Sequence, residues 1–306
     1  MTTPDSVEIP LDHAAPQAGR VEALSPRVRR LIAPNGGPFT FTGTCTYLVG
    51  ARKLVVIDPG PDHADHLADL MAAIGDAEVA AILVTHTHRD HAPLARALAK
   101  ATGAPVMGCG PHIPARALAV GETATLEGSN DLAHQPQRIL KDGDKIAVED
   151  FELVAIATPG HTMNHLAFAL PQEGSVFSGD HVMAWSTSIV APPDGAMGPY
   201  MASLAKMLAR EDGVYWPGHG GALREPQRFV RALIAHRRQR ETSILGQVRQ
   251  GTSTIPAIVA AIYAGLDPRL KGAAALSVYA HLEDLVAKGK VGCEGPPLLG
   301  ASYHVL

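Results

Sequence analysis

Apolar positions along this chain fall into two rhythms. Short apolar runs, several of them apolar on both faces, occupy residues 46–49, 54–58, 80–85, 105–108, 145–148, 152–157, 166–170, 175–178 and 214–216. Such runs suit strands whose sheets are covered by helices. Between them the spacing lengthens toward 3.6. His66, Leu67, Leu70, Met71 and Ile74 share one face and predict a helix over 64–74. Further helices are expected at 93–100 and 201–210. Residues 1–44 are rich in Pro and Gly and read as a lead-in with one or two short strands, one of them over 28–32. Residues 109–144 show little periodicity and read as an irregular or partly helical insert. Strands mixed with helices place the body of the chain in the α/β class.

The pattern changes near residue 225. Phe229, Leu233, Ile234, Ile244, Leu245 and Val248 predict one long helix, or two in series, across 225–250. Helices over 255–264 and 273–288 follow, with Gly289 as a C-cap. A short strand over 290–293 and an apolar end complete the unit. The expected division is a body of residues 1–224 and a compact helical domain of residues 225–306.

Composition narrows the function classes. Of 306 residues, 46% are hydrophobic and 18% charged, which supports a large core and excludes a disordered chain. Aromatics at 5% argue against base-stacking platforms. The net charge of -4 is unevenly spread, since residues 225–306 carry ten Lys+Arg against six Asp+Glu and the body is acidic. Cys45, Cys109 and Cys293 are too few for a disulfide framework, which points to a reducing, cytoplasmic setting. No apolar run is long enough to span a membrane. Pro4, Asp5, Glu8 and Pro10 do not look like a secretory signal.

The chemistry sits in the histidines. His86, His88, Asp90 and His91 crowd the run Thr85-His-Thr-His-Arg-Asp-His, directly after the apolar strand at 80–85. A loop at the C-terminal end of a strand is where open α/β sheets place ligands. Imidazole and carboxylate suit Zn²⁺, with Mn²⁺ or Fe as other choices. Three more ligand types follow later strands beside glycine: His161 in Pro-Gly-His-Thr, Asp180 in Ser-Gly-Asp-His and His219 in Pro-Gly-His-Gly. The chain shows no Gly-x-Ser-x-Gly elbow and no activated cysteine to act as a nucleophile.

This constellation, with the Val-Ile-Asp-Pro-Gly stretch at 56–60, resembles the metallo-β-lactamase superfamily over about residues 28–222. The resemblance implies an αββα sandwich and two divalent metal ions, zinc above all. It puts His86, His88 and His161 on the first metal and Asp90, His91 and His219 on the second, with Asp180 bridging them. It implies a hydrolase in which a metal-bridging hydroxide attacks an ester, thioester or lactam-type small molecule, with Asp90 as ligand and catalytic orienter of water. Many hydrolytic members follow the motif with a small residue and two glycines; here Ala92-Pro93-Leu94 stands instead. Residues 255–263 and 280–291 resemble the winged-helix tail of the β-lactamase-like protein 2 branch. That branch implies an alternative, a metal-dependent endoribonuclease on single-stranded RNA, steered by Arg228, Arg231, Arg237, Arg238 and Arg240. The tail could equally serve packing or a homodimer.

Other polar residues carry narrower expectations. Asp58, just after a strand, is expected to orient a ligand histidine. His165 is placed either to protonate a leaving group or to make a structural hydrogen bond. His181 is expected to point away from the metals. His63, His66, His112 and His134 read as surface or loop residues. The polar, Pro-rich loop at 185–200 is expected to line the substrate mouth.

Overall fold

In the computed structural model, which describes residues 8–120, 122 and 129–306, two sheets pack face to face. The first runs β1 (Glu22–Ala23), β2 (Val28–Ile32), β3 (Cys45–Gly50), β4 (Lys53–Ile57), β5 (Glu78–Val84), β6 (Val106–Gly108) and β7 (Arg138–Ile139), in that spatial order. Its first four strands are antiparallel and β4 through β7 are parallel. The parallel pairs require crossovers, which α1 (Ala64–Ile74) supplies between β4 and β5 and α2 (Leu94–Thr102) between β5 and β6. The second sheet has the order β12 (Val214–Pro217), β11 (Ser175–Gly179), β10 (Leu166–Leu170), β9 (Phe151–Ala157) and β8 (Lys145–Val148). Helix α3 (Met197–Leu208) leads from β11 back to β12, which pairs with it in parallel.

Alternation along the strands of the second sheet sorts its side chains into two layers. Leu166, Phe168 and Leu170 of β10, Phe177 of β11 and Trp216 of β12 face the first sheet and join Tyr47, Val55 and Leu83 there. Their neighbours Ala167, Ala169, Val176 and Tyr215 face outward, under Tyr200 and Leu204 of α3. Phe229, Val230 and Leu233 of α4 (Pro226–Arg249) close the same layer. Leu70 and Ile74 of α1, with Leu94 and Leu98 of α2, cover the first sheet. The layering is the expected αββα sandwich.

Helix α4 is one continuous helix. Its N-terminal half belongs to the sandwich, while Ile244 and Val248 in its C-terminal half pack with α5 (Ile255–Ile262) and α6 (Lys271–Ala287). Strands β13 (Val291–Cys293) and β14 (Tyr303–Val305) form an antiparallel wing on this unit. Gly289, at φ 65°, ends α6 in the left-handed conformation, as the sequence predicts.

Several local expectations change. Helix α3 begins at Met197, four residues earlier than its apolar spacing suggests. Strands β1, β7 and β14 have two or three residues and leave no periodicity to read. No α-helix forms among the described residues of the 109–144 insert; residues 121 and 123–128 lie outside the described set, as do Pro4 and Asp5. The three cysteines are free thiols. No helix of the described residues is long and apolar enough to cross a membrane.

Candidate metal centre

The C-terminal ends of β4, β5, β9, β11 and β12 all open at one end of the sandwich, and each is followed by a candidate ligand or its support. Cross-sheet backbone bonds stitch this end together, from Leu166 N to Thr85 O at 2.8 Å and from Cys45 N to Gly218 O at 2.7 Å. All seven predicted ligands arrive there. Atoms of His86, His88, His161 and Asp180 lie within 4.8 Å of one another, and so do those of Asp90, His91 and His219. Asp180 faces both groups: its Oδ2 lies 3.7 Å from His161 Nε2 and 3.5 Å from His219 Nε2, and its Oδ1 lies 3.5 Å from His91 Nε2.

Bonds on the outer side of the rings decide which nitrogens point inward as lone pairs. The Thr85 hydroxyl donates to Asp58 Oδ2 at 2.8 Å, so its oxygen accepts from His86 Nδ1 at 3.0 Å. His91 Nδ1 donates to Asp58 Oδ2 at 2.9 Å, His161 Nδ1 to Ile189 O at 2.6 Å and His219 Nδ1 to Gly43 O at 3.2 Å. Each leaves Nε2 bare and aimed at the cluster. His86 Nε2 and His161 Nε2 then meet His88 Nδ1 at 3.0 and 3.1 Å, and His91 Nε2 meets His219 Nε2 at 3.3 Å. Two facing lone pairs repel, and so do two facing N–H groups. One shared proton satisfies a single contact, whereas a cation satisfies every one. Asp180 Oδ1, a buried atom with no hydrogen-bond donor, adds another acceptor to the same space. The donor set fits divalent metal ions.

The charges agree. Burial, then the neighbouring His91, pushes the His86 pKa well below its ordinary value, and burial with His161 takes His88 to about 3, so both are neutral and could each offer a lone pair to a metal. Burial opposes a charge on His219, but Asp180 and Asp90 outweigh it and raise its pKa to about 10. Burial likewise opposes ionisation of Asp90, yet His91 and His219 hold its carboxyl well below the usual range. Without metal, protons fill part of the role of cations; metal binding displaces them.

The supporting residues sort clearly. Asp58 is the expected orienter: besides His91, it accepts from Thr85 N at 2.8 Å, with its own backbone at φ 49°. His165 takes the structural one of its two expected roles. It is buried, its Nε2 accepts from Asp180 N at 3.2 Å and its Nδ1 donates to Thr158 Oγ1 at 2.7 Å, so no nitrogen is free to act as an acid. His181 turns away from the cluster and packs its ring 5.0 Å from Tyr200. His66 corrects the sequence reading, since it lies in α1 and is buried against Thr46 Oγ1 at 3.1 Å; His134 lies in a loop, as read, and is buried there against Cys109 O at 3.2 Å. A polar residue inside an amphipathic face or a loop carries no local mark of burial.

His88, Asp90, His161, Asp180 and His219 line a cavity of about 410 Å³ whose walls include Phe39, Met183 and Ile189. Ile189 belongs to the 185–200 loop, which thus reaches the site, although Ser188, Val190, Ala191 and Asp194 of that loop are buried rather than open. The basic face expected on α4 is broken. Arg237 is only 3% exposed and donates to the Ser188 carbonyl, and Arg228 pairs with Glu225 at 2.9 Å. Thr85, the Gly43 carbonyl and the Ile189 carbonyl were not anticipated. The last two act through the backbone, where residue type leaves no signal.

Comparison with known sequences bears on this geometry directly. The metallo-beta-lactamase superfamily profile matches residues 39–219, more than half of the chain. The chain belongs to the metallo-beta-lactamase superfamily. It is a hydrolase of that superfamily, and residues 254–295 match the beta-lactamase associated winged helix domain. Among its relatives, the lactamase-like protein adaB of Aspergillus niger is 28% identical over 300 residues, covering 92% of this chain and 87% of that protein. An atrochrysone carboxyl ACP thioesterase of Aspergillus chevalieri is 29% identical over 255 residues, covering 79% and 75%. Of solved structures, a metallo-beta-lactamase family protein from Thermus thermophilus is similar at 25% identity and a TM-score of 0.75, over 93% of this chain and 100% of that one. A beta-lactamase domain protein from Burkholderia ambifaria, at 21% identity and a TM-score of 0.78 over 95% of each chain, shares the fold.

Proposed function

We propose that this superfamily member is a dinuclear metal-dependent thioesterase. The observation that carries the reading is the pair of facing acceptors at the centre, His91 Nε2 and His219 Nε2 at 3.3 Å, beside the second convergence on His88 Nδ1. His86, His88 and His161 would hold one ion, Asp90, His91 and His219 the other, and Asp180 would touch both. Zn²⁺ suits this mixture of imidazole and carboxylate best, with Mn²⁺ or Fe as alternatives. Ions bound there would polarise an acyl oxygen and make water nucleophilic near neutral pH.

The chain's own residues do the rest. The carboxylate of Asp90 is fixed by the His219 ring at 3.1 Å and by a donor, Thr44 Oγ1, at 3.4 Å. Its side chain stays 25% exposed toward the cavity, so it can hold and align water for attack. Apolar Phe39, Met183 and Ile189 offer the cavity a surface for the apolar part of an acyl group. A thioester is favoured over an ester or lactam because relatives spanning most of this chain are named as acyl carrier protein thioesterases. The endoribonuclease alternative lacks the continuous basic face it needs.

The test is a screen of metal-reconstituted protein against thioesters, esters, β-lactams and single-stranded RNA, with His86→Ala as the blank and Asp90→Ala as the catalytic variant. Thioester cleavage that needs added Zn²⁺ and falls at least ~10³-fold in Asp90→Ala is expected. Cleavage indifferent to metal removal, or near-normal turnover by Asp90→Ala, would overturn the assignment.

A further inference from the structure

Beside the metal cavity lies a second chamber of about 440 Å³, and the two share Phe39, Met183, Ile189 and Ala273 as walls. The near part is apolar. The far part is built by α4 and the winged-helix unit and is cationic. Arg240 lies across the Tyr263 ring, 4.7 Å from its centroid, and donates from Nε to His236 Nε2 at 3.3 Å. Arg237, one turn earlier, lies over the Tyr200 ring at 5.3 Å, donates to the Ser188 carbonyl and to Ser277 Oγ at 3.2 Å, and keeps a buried Nε with no acceptor. Among the described residues neither guanidinium has a carboxylate partner, and no Asp or Glu lines the chamber. Burial, then Arg237 and Arg240, lowers the His236 pKa to about 4, so His236 adds no charge and serves as an acceptor.

Two cations without a counter-ion at the end of an apolar chamber are costly unless an anion joins them. Arginine paired with an aromatic face is also the side chain best suited to hold a carboxylate or phosphate in a fixed plane. We propose that this chamber is a specificity subsite in which Arg240 and Arg237 bind an oxyanion at the far end of an extended thioester whose carbonyl lies at the metal cluster. The substrate class is thereby narrowed to acyl thioesters with a terminal anionic group. That group is either a phosphate on the thiol arm, as in phosphopantetheine, or a carboxylate on the acyl chain. The inference rests on the thioesterase reading, and it gives the winged-helix unit a part in substrate choice.

The experiment compares three thioesters with the same acyl length on the metal-loaded enzyme: S-acyl-pantetheine, S-acyl-4′-phosphopantetheine and S-acyl-pantetheine with an ω-carboxylate. One charged substrate should exceed the neutral one by at least ~10-fold in kcat/KM, and whichever it is names the source of the anion. Arg240→Gln should erase that advantage mainly through KM, Arg240→Lys should restore part of it, and Arg231→Gln, exposed on α4 and outside the chamber, should leave it intact. Calorimetric titration of wild type and Arg240→Gln with free 4′-phosphopantetheine and with a dicarboxylic acid of matching length gives a readout independent of turnover. Equal kcat/KM for all three substrates, or an advantage that survives in Arg240→Gln, overturns the subsite. Absence of cleavage for every thioester overturns the thioesterase reading instead. In that case titration decides the subsite: Arg240-dependent binding of either anion supports it, and no binding overturns it.

Discussion

Asp58→Asn is the most informative single change. Asp58 is 2% exposed and touches no predicted ligand except through hydrogen bonds. Its Oδ1 accepts from Thr85 N at 2.8 Å, and its Oδ2 accepts from both the Thr85 hydroxyl at 2.8 Å and His91 Nδ1 at 2.9 Å. Asparagine keeps the volume and tolerates the backbone at φ 49°, so the fold is not strained by the exchange. The Thr85 N–H is fixed in the backbone and keeps the one carbonyl oxygen. The amide NH₂ then stands where Oδ2 stood and donates toward His91 Nδ1. The imidazole must turn its proton to Nε2, which points into the cluster 3.3 Å from His219 Nε2. The Thr85 hydroxyl, released from Asp58, can in turn donate to His86 Nδ1 and disturb that ring the same way.

Loss of such an outer partner costs about 10- to 100-fold in metal affinity, which is roughly 1.4 to 2.7 kcal/mol. The group of Asp90, His91 and His219 should suffer more, because His91 is touched directly and His86 only through Thr85. The assay is zinc titration of metal-free protein in competition with a chromophoric chelator, beside thermal unfolding to confirm the fold. Wild-type affinity for both equivalents of zinc in Asp58→Asn would refute the argument that outer hydrogen bonds set the inward lone pairs.

Three further outcomes follow from the geometry. A Cβ at Gly218 would stand 2.4 Å from Asp180 Oδ1 and 2.8 Å from His91 Cε1, so Gly218→Ala should displace both side chains and leave folded protein with reduced metal content; full occupancy by elemental analysis would contradict it. Phe168→Ala empties the space between the sheets, where the ring is fully buried, and should cost ~3–5 kcal/mol in urea unfolding, with a loss below ~1 kcal/mol counting against a close-packed interior. His66, His236 and His281 are held neutral, chiefly by burial, at pKa values of about 4, 4 and 3, below the unfolded value of 6.5; the unfolded chain takes up protons first, so the stability they contribute is present above pH 6.5 and is lost as pH falls toward 4. The urea midpoint should drop over that interval, less so in His281→Leu, and a flat profile would exclude this linkage.

The local pattern of the chain carried much of this protein. The sequence pattern located eleven of the fourteen strands, and the face made by His66, Leu70 and Ile74 placed α1 at its observed bounds. The ligand set was legible because each member sits where a strand ends beside a small or polar turn, and a cation site at strand ends needs that chemistry. What periodicity could not carry was everything decided across the sheets. Asp180 meets both groups only because β11 lies between β10 and β12, and His219 finds Gly43 only because two sheets close at one end. Arg237 reads as part of a solvated basic stripe, yet the docking of the winged-helix unit buries it and turns it, with Arg240, into the wall of a chamber. Burial of one face repeats along a strand or helix and so is written in the order of residues. The pairing of distant side chains depends on how those faces stack, which is a property of the folded whole.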